Sequence, residues 1–167
     1  MPPEGSVARK GEKQKPVPPD LSSTLQGLFY EDLHVGLSAI YSRTVEAGDI
    51  SAFAGVSGDT NPLHLSEDYA RDTLFGGRIA HGMLSAGYIS TVIGTRLPGP
   101  GCIYVSQSLR FKGPVRCGDT VNTRVAVTGF IEEKDRAIMW CECFVDDTVI
   151  LEGEAIIQVP RRIPRED

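Results

Sequence analysis

A chain of 167 residues, 41% of them hydrophobic and 23% charged, is long enough for one domain with a real core. Its 17 basic and 22 acidic residues leave a net charge of -5, which argues against a surface built to bind a nucleic-acid backbone. Small anionic ligands held by a few local groups stay compatible with that balance.

The first 20 residues contain five prolines, four basic residues and three acids. Such a stretch buries too little apolar surface to offset the entropy of ordering it. Residues 1–24 are therefore expected to be a disordered N-terminal extension, and 25–167 a single domain. No secretory signal is read at the start of the sequence, and the prolines, Glu4 and Glu12 make a transit peptide a poor fit. Cys102, Cys117, Cys141 and Cys143 form no C-x-x-C pair. Cys141 and Cys143 share one face of a strand with Cα atoms about 7 Å apart, near or beyond disulfide reach. Reduced, buried thiols in a cytoplasmic protein are the expectation.

Leu33 to Val45 alternates only partly and predicts one or two irregular strands. Ile50, Phe53, Ala54 and Val56 recur at helical spacing after Asp49, a possible cap, and Gly58 ends that helix. Gly58-Asp59-Thr60-Asn61-Pro62 is rich in turn formers and reads as a loop. Ser66 caps a short helix to about Thr73, with Glu67 and Asp68 in its first turn, where the helix dipole favours acids. From Ile79 to Thr95 runs a 17-residue segment with no formal charge beyond a possible one on His81. It falls short of the roughly 20 residues that span a bilayer and reads as a buried helix from about His81 to Leu97, stopped by Pro98-Gly99-Pro100-Gly101.

The remainder alternates as strands: Ile103 to Phe111, Val121 to Thr128, Ile138 to Val145, and Val149 to Val159. Glu133-Lys134-Asp135 and Asp146-Asp147 read as hairpin connections. Helices first and consecutive antiparallel strands last give an α+β fold. A helix apolar nearly all round must be covered on most of its surface, and a curved antiparallel sheet wrapped around it is one solution. Unprotected sheet edges then predict a dimer.

Two short segments carry residues suited to chemistry. Asp59 and His64 bracket one tight loop, where Pro62 fixes its own φ and biases Asn61 away from helix. A carboxylate and an imidazole held together are able to activate water and return a proton. The same spacing also suits an Asx turn with a hydrogen-bonded His, or less well a metal site, since no third ligand stands at a recognisable spacing. His81-Gly82-Met83 opens the buried helix, whose first N–H groups lack helical partners and lie at the positive end of the dipole. Gly82 lets a ligand oxygen approach those groups, although His81 at a helix start is equally a simple cap.

The stretch Phe53-Ala-Gly-Val-Ser-Gly-Asp-Thr-Asn-Pro-Leu-His64, with Ala70 after it, resembles the hydratase-2 motif of MaoC-like hydratases. His81-Gly82-Met83 and Pro98-Gly-Pro-Gly-Cys-Ile-Tyr-Val-Ser-Gln107 match the later landmarks of that family, so the resemblance spans about Leu33 to Pro160. It is nearest to single-domain (R)-specific enoyl-CoA hydratases and 3-hydroxyacyl-thioester dehydratases. The resemblance implies a hot-dog fold, a long central helix wrapped by an antiparallel sheet and usually paired as a homodimer. It implies reversible syn hydration of a trans-2-enoyl thioester, with no metal or redox cofactor and with CoA or an acyl carrier protein as substrate carrier. Asp59 and His64 become the catalytic pair and Gly82 N–H the oxyanion hole. Asn61 orients the loop or substrate, Ser90 bonds near Asp59 or lines the pocket, and His81 supports the site. A hot-dog thioesterase and a non-catalytic acyl-thioester binder are the competing readings; no nucleic acid and no membrane enter any of them.

Overall fold

Local chemistry sets each helix where the periodicity places it. The structure, a computed structural model, describes residues 25–163, so the expected extension over 1–24 lies outside the described residues. Helix α1 spans Ala47–Ser57. Asp49 serves its start from inside rather than as the cap: its carboxylate accepts from the Glu46 N–H at 3.0 Å. Gly58 ends α1 with φ 77°, a left-handed turn that a side chain would strain. The turn-rich segment after it contains one extra helical turn, α2, Pro62–Leu65. Pro62 has no N–H to leave unpaired at that position. Ser66 caps α3, Glu67–Arg71, by accepting from the Tyr69 N–H at 3.3 Å. Helix α4 spans Gly82–Thr95.

The six strands are β1 Ser38–Thr44, β2 Ile103–Gln107, β3 Arg110–Phe111, β4 Thr120–Ile131, β5 Arg136–Val145 and β6 Thr148–Gln158. They form one antiparallel sheet in the order β1-β4-β5-β6-β2, with β3 also pairing with β6. The sequence runs β2 and β3 together as one strand; the structure breaks them at Ser108 and Leu109. The β4–β5 and β5–β6 connections carry Asp135 and Asp146 at φ 50° and 49°, a conformation Asp tolerates better than most residues.

Alternation on the strands decides what the sheet buries. Val121, Thr123, Val125 and Val127 of β4 face inward with Ala137, Met139, Cys141 and Cys143 of β5 and Leu151, Ala155 and Ile157 of β6. Against this face packs one side of α4, through Tyr88, Ile89, Val92 and Ile93. These four are core residues, as their helical spacing suggests, and none lines the cavity described below. Coverage of α4 within one chain is incomplete, because Met83, Gly87, Ser90 and Gly94 lie exposed. No helix among the described residues is long and apolar enough to cross a membrane.

The thiols divide by environment. All four are free; Cys141 and Cys143 are buried, whereas Cys102 is half-buried and Cys117 exposed, so burial does not extend to every thiol as expected. Burial pushes the Cys141 thiol up to about 12 and that of Cys143 up to about 11. Since the thiolate is the reactive form, titration of the folded chain with an aromatic disulfide reagent is expected to label Cys117 first. Cys141 and Cys143 are expected to react only after denaturant unfolds the sheet.

Candidate functional site

Three short pieces of backbone meet at the start of α4. The Ala80 N–H donates to Val115 O at 2.7 Å and so fixes the extended segment leading into the helix. His64, on α2, is buried, and its Nδ1 lies 2.8 Å from Ile79 O. A carbonyl oxygen only accepts, so this nitrogen carries the proton and Nε2 is left with its lone pair. His81 is buried too, and its Nε2 lies 2.9 Å from Asp59 O, so here Nε2 is the donor and Nδ1 the bare nitrogen. That Nδ1 is sealed from solvent and has no hydrogen-bond partner.

His81 therefore stands at the cap position of α4 without capping it. Its ring ties the main chain of Asp59 instead, and it packs at a tilt against two neighbouring rings. The His64 and His81 ring centroids are 3.9 Å apart with planes tilted by 31°, and Phe53 backs His81 at 4.9 Å. Asp59 is exposed, and its Oδ1 accepts from the Asn61 N–H at 3.2 Å. Asn61 in turn caps α2, its Oδ1 accepting from the Leu63 N–H at 3.0 Å. Of the two roles expected for Asn61, orienting the loop is the one this contact serves.

Ligand atoms of Asp59, His64 and His81 lie within 4.8 Å of one another, which is close enough to consider a cation. His81 is poorly placed to join such a site: its Nε2 donates to Asp59 O, and its Nδ1 is sealed from solvent. The arrangement suits an acid and a neutral imidazole sharing one water.

His64, His81 and Gly82 border a cavity of about 630 Å3, whose walls include Phe75, Ile79, Val115, Ile150 and Leu151. This is a size suited to a small-molecule ligand. At Gly82 a Cβ would stand 2.6 Å from Cε1 of Phe111, so the glycine is what lets that ring and the helix N-terminus come together. The Gly82 and Met83 N–H groups begin α4 without helical acceptors. Ser90 does not take part in the single chain: it is exposed, lies outside the cavity, and among the described residues its side chain makes no hydrogen bond within the chain. Ser85, one turn into α4, is the serine on the cavity wall. Sequence reading missed it because a serine inside an apolar helix gives no signal of which way it faces. Phe111 was likewise hidden in an ordinary strand pattern.

A carboxylate, a buried imidazole and unpaired helix N–H groups grouped in this way are suited to acid–base chemistry. The family model described as the MaoC-like domain matches residues 34–140. The chain is 56% identical over 134 residues to the (R)-specific enoyl-CoA hydratase of Rhodospirillum rubrum, covering 80% of this chain and 93% of that one. It is 51% identical over 138 residues to the 3-hydroxybutyryl-CoA dehydratase of Methylorubrum extorquens, covering 83% and 88%. Among solved structures, the unliganded R-hydratase PhaJ1 of Pseudomonas aeruginosa superposes with a TM-score of 0.77 at 40% identity, covering 86% of this chain and 94% of that one. The chain belongs to the MaoC-like family and has its hot-dog fold.

The double role of His81 has a measurable consequence. His81→Phe keeps the stacked ring, removes the donor to Asp59 O and removes the orphaned Nδ1. Losing a hydrogen bond of about 1 kcal/mol together with an unpaired buried nitrogen is expected to leave global stability within about 1 kcal/mol. The Asp59–Asn61 loop, however, is expected to loosen, read as faster amide hydrogen exchange at Thr60 and Asn61 by mass spectrometry or NMR.

Proposed function

We propose that the chain is an (R)-specific enoyl-CoA hydratase, a hydro-lyase that also runs in reverse as a 3-hydroxyacyl-thioester dehydratase. The observation that carries this reading is the pairing of Asp59 with a His64 whose tautomer is set by Ile79 O, beside the free N–H of Gly82. A water lies between the Asp59 carboxylate and the bare Nε2 of His64. Its oxygen bonds to C3 of the trans-2-enoyl thioester, and the proton it gives up passes through the pair to C2. Both additions come from the side on which the pair stands, so they are syn. Acid and base roles are shared between the two groups.

Water addition moves electron density onto the thioester oxygen. The Gly82 N–H, at the positive end of α4, meets that charge as it develops, a contribution of about 3–4 kcal/mol to the barrier. His81 touches neither water nor substrate in this scheme; it holds the main chain of Asp59 at the required height and packs the face of His64. The reaction uses no metal and no redox cofactor, since every proton and electron pair is supplied by water and the thioester.

The carrier is CoA or the phosphopantetheine of an acyl carrier protein, and the rim offers charge to either. Lys112 and Arg110 both reach Glu152, at 3.0 and 3.1 Å, and the hydrogen bond from Lys112 is the main reason this carboxyl is held below the usual range. Two cations on one anion leave this cluster locally positive, with Lys112 on the cavity wall, in a chain that is negative overall. A homodimer in the cytoplasm completes the proposal. It is supported by the exposed apolar residues Ile103 and Val105 on edge strand β2, by the exposed Met83 on α4, and by the free thiols.

Thioester hydrolysis is the competing reading, because a carboxylate that activates water is also suited to attack the carbonyl carbon. Asp59→Asn keeps the acceptor for the Asn61 N–H and leaves the main-chain tie to His81 in place. It is expected to fold with an unchanged melting temperature and to lose at least about a thousandfold in crotonyl-CoA hydration, the scale for removing one member of a proton-transfer pair. Loss of enoyl absorbance without release of free thiol separates hydration from hydrolysis, and the product is expected to be the (R)-alcohol. An (S) product, or full activity in folded Asp59→Asn, overturns the assignment.

A further inference from the structure

The cavity wall holds one polar side chain that the hydration scheme does not use. Ser85 is 2% exposed and lines the cavity, yet among the described residues its hydroxyl makes no hydrogen bond. It does not bond back to its own helix, as Thr91 and Thr95 do to Gly87 O and Thr91 O. Its backbone carbonyl accepts from the Cys143 thiol at 3.6 Å, which seats this turn of α4 on the C-terminal part of β5. Leu151, on the neighbouring strand, and Ile150 and Val115 make the surrounding wall apolar.

Ser85 lies three positions beyond Gly82, a rise of about 4.5 Å along the helix. With the thioester oxygen at Gly82 and C3 beside the catalytic pair, the tail of the acyl group runs on toward this hydroxyl. A buried hydroxyl without a partner is costly, so in the free cavity it holds water. A short acyl group leaves that water in place. A longer alkyl tail displaces it and has nothing to offer the hydroxyl in return. Volume does not set the limit, because about 630 Å3 accommodates far more than four carbons.

We infer that Ser85 is a specificity-determining residue that makes the site select short acyl chains, of about four carbons, by the polarity of one hydroxyl rather than by the length of the cavity. The inference rests on the hydratase reading above. Its test is the profile of kcat/KM for enoyl-CoA substrates of four, six and eight carbons, measured on the full chain and on two variants. Ser85→Ala removes the hydroxyl; Ser85→Cys keeps a comparable volume with a much weaker hydrogen-bonding group. Both are expected to raise kcat/KM for eight carbons relative to four by about tenfold, the scale of one neutral hydrogen bond. A profile unchanged in both variants overturns the inference and leaves hydration standing. A shift in Ser85→Ala that Ser85→Cys fails to reproduce also overturns it, because added room rather than lost polarity is then the cause. No turnover of any enoyl thioester by the unaltered chain overturns the hydratase reading and this inference with it.

Discussion

The extended segment Ile79–His81 is the anchor on which the site depends. Ile79 O receives His64, the Ala80 N–H reaches Val115, and the His81 ring reaches back to Asp59 O. Three separate stretches of chain are thereby fixed to the few residues that lead into α4. The helix in turn is fixed by its apolar side against the sheet, through Ile89, Val92 and Ile93. The core therefore sets the position of the helix N-terminus, and the helix N-terminus sets the position of the acid and the imidazole. Errors in the sheet propagate to the chemistry through this single segment.

Hydrogen bonds to carbonyl oxygens also settle protonation geometry. Each imidazole is pinned through a different nitrogen, Nδ1 in His64 and Nε2 in His81, so the two stacked rings have distinct duties. One leaves its Nε2 uncommitted, while the other spends its Nε2 proton on the backbone. The orphaned Nδ1 of His81 is a small local cost of this division.

Much of this was legible in the sequence for identifiable reasons. Turn formers, caps and breakers give local signals, so α1, α3 and α4 and the hairpins fall close to their expected places. The Asp59–His64 loop was visible because the two residues lie five positions apart around a proline. Facing is harder to read. A serine in an apolar helix has no periodic partner to betray its direction, which is why Ser85 on the cavity wall went unread; Ser90 was placed near the site by resemblance, not by periodicity. The helical turn Pro62–Leu65 was hidden because one turn has too few residues to show a period. The break between β2 and β3 comes from their separate pairing with β6, a non-local choice that alternation along one strand does not encode.

The tethers that assemble the site end on main-chain oxygens of Asp59 and Ile79, not on their side chains. Main-chain atoms do not change when a residue does. Position 59 is therefore able to carry another side chain that still accepts from the Asn61 N–H, while the ring of His81 keeps its grip on the loop. The scaffold and the reagent are separately variable at the same residue, so this architecture tolerates exchange of its acid, and with it a change of reaction, without being rebuilt.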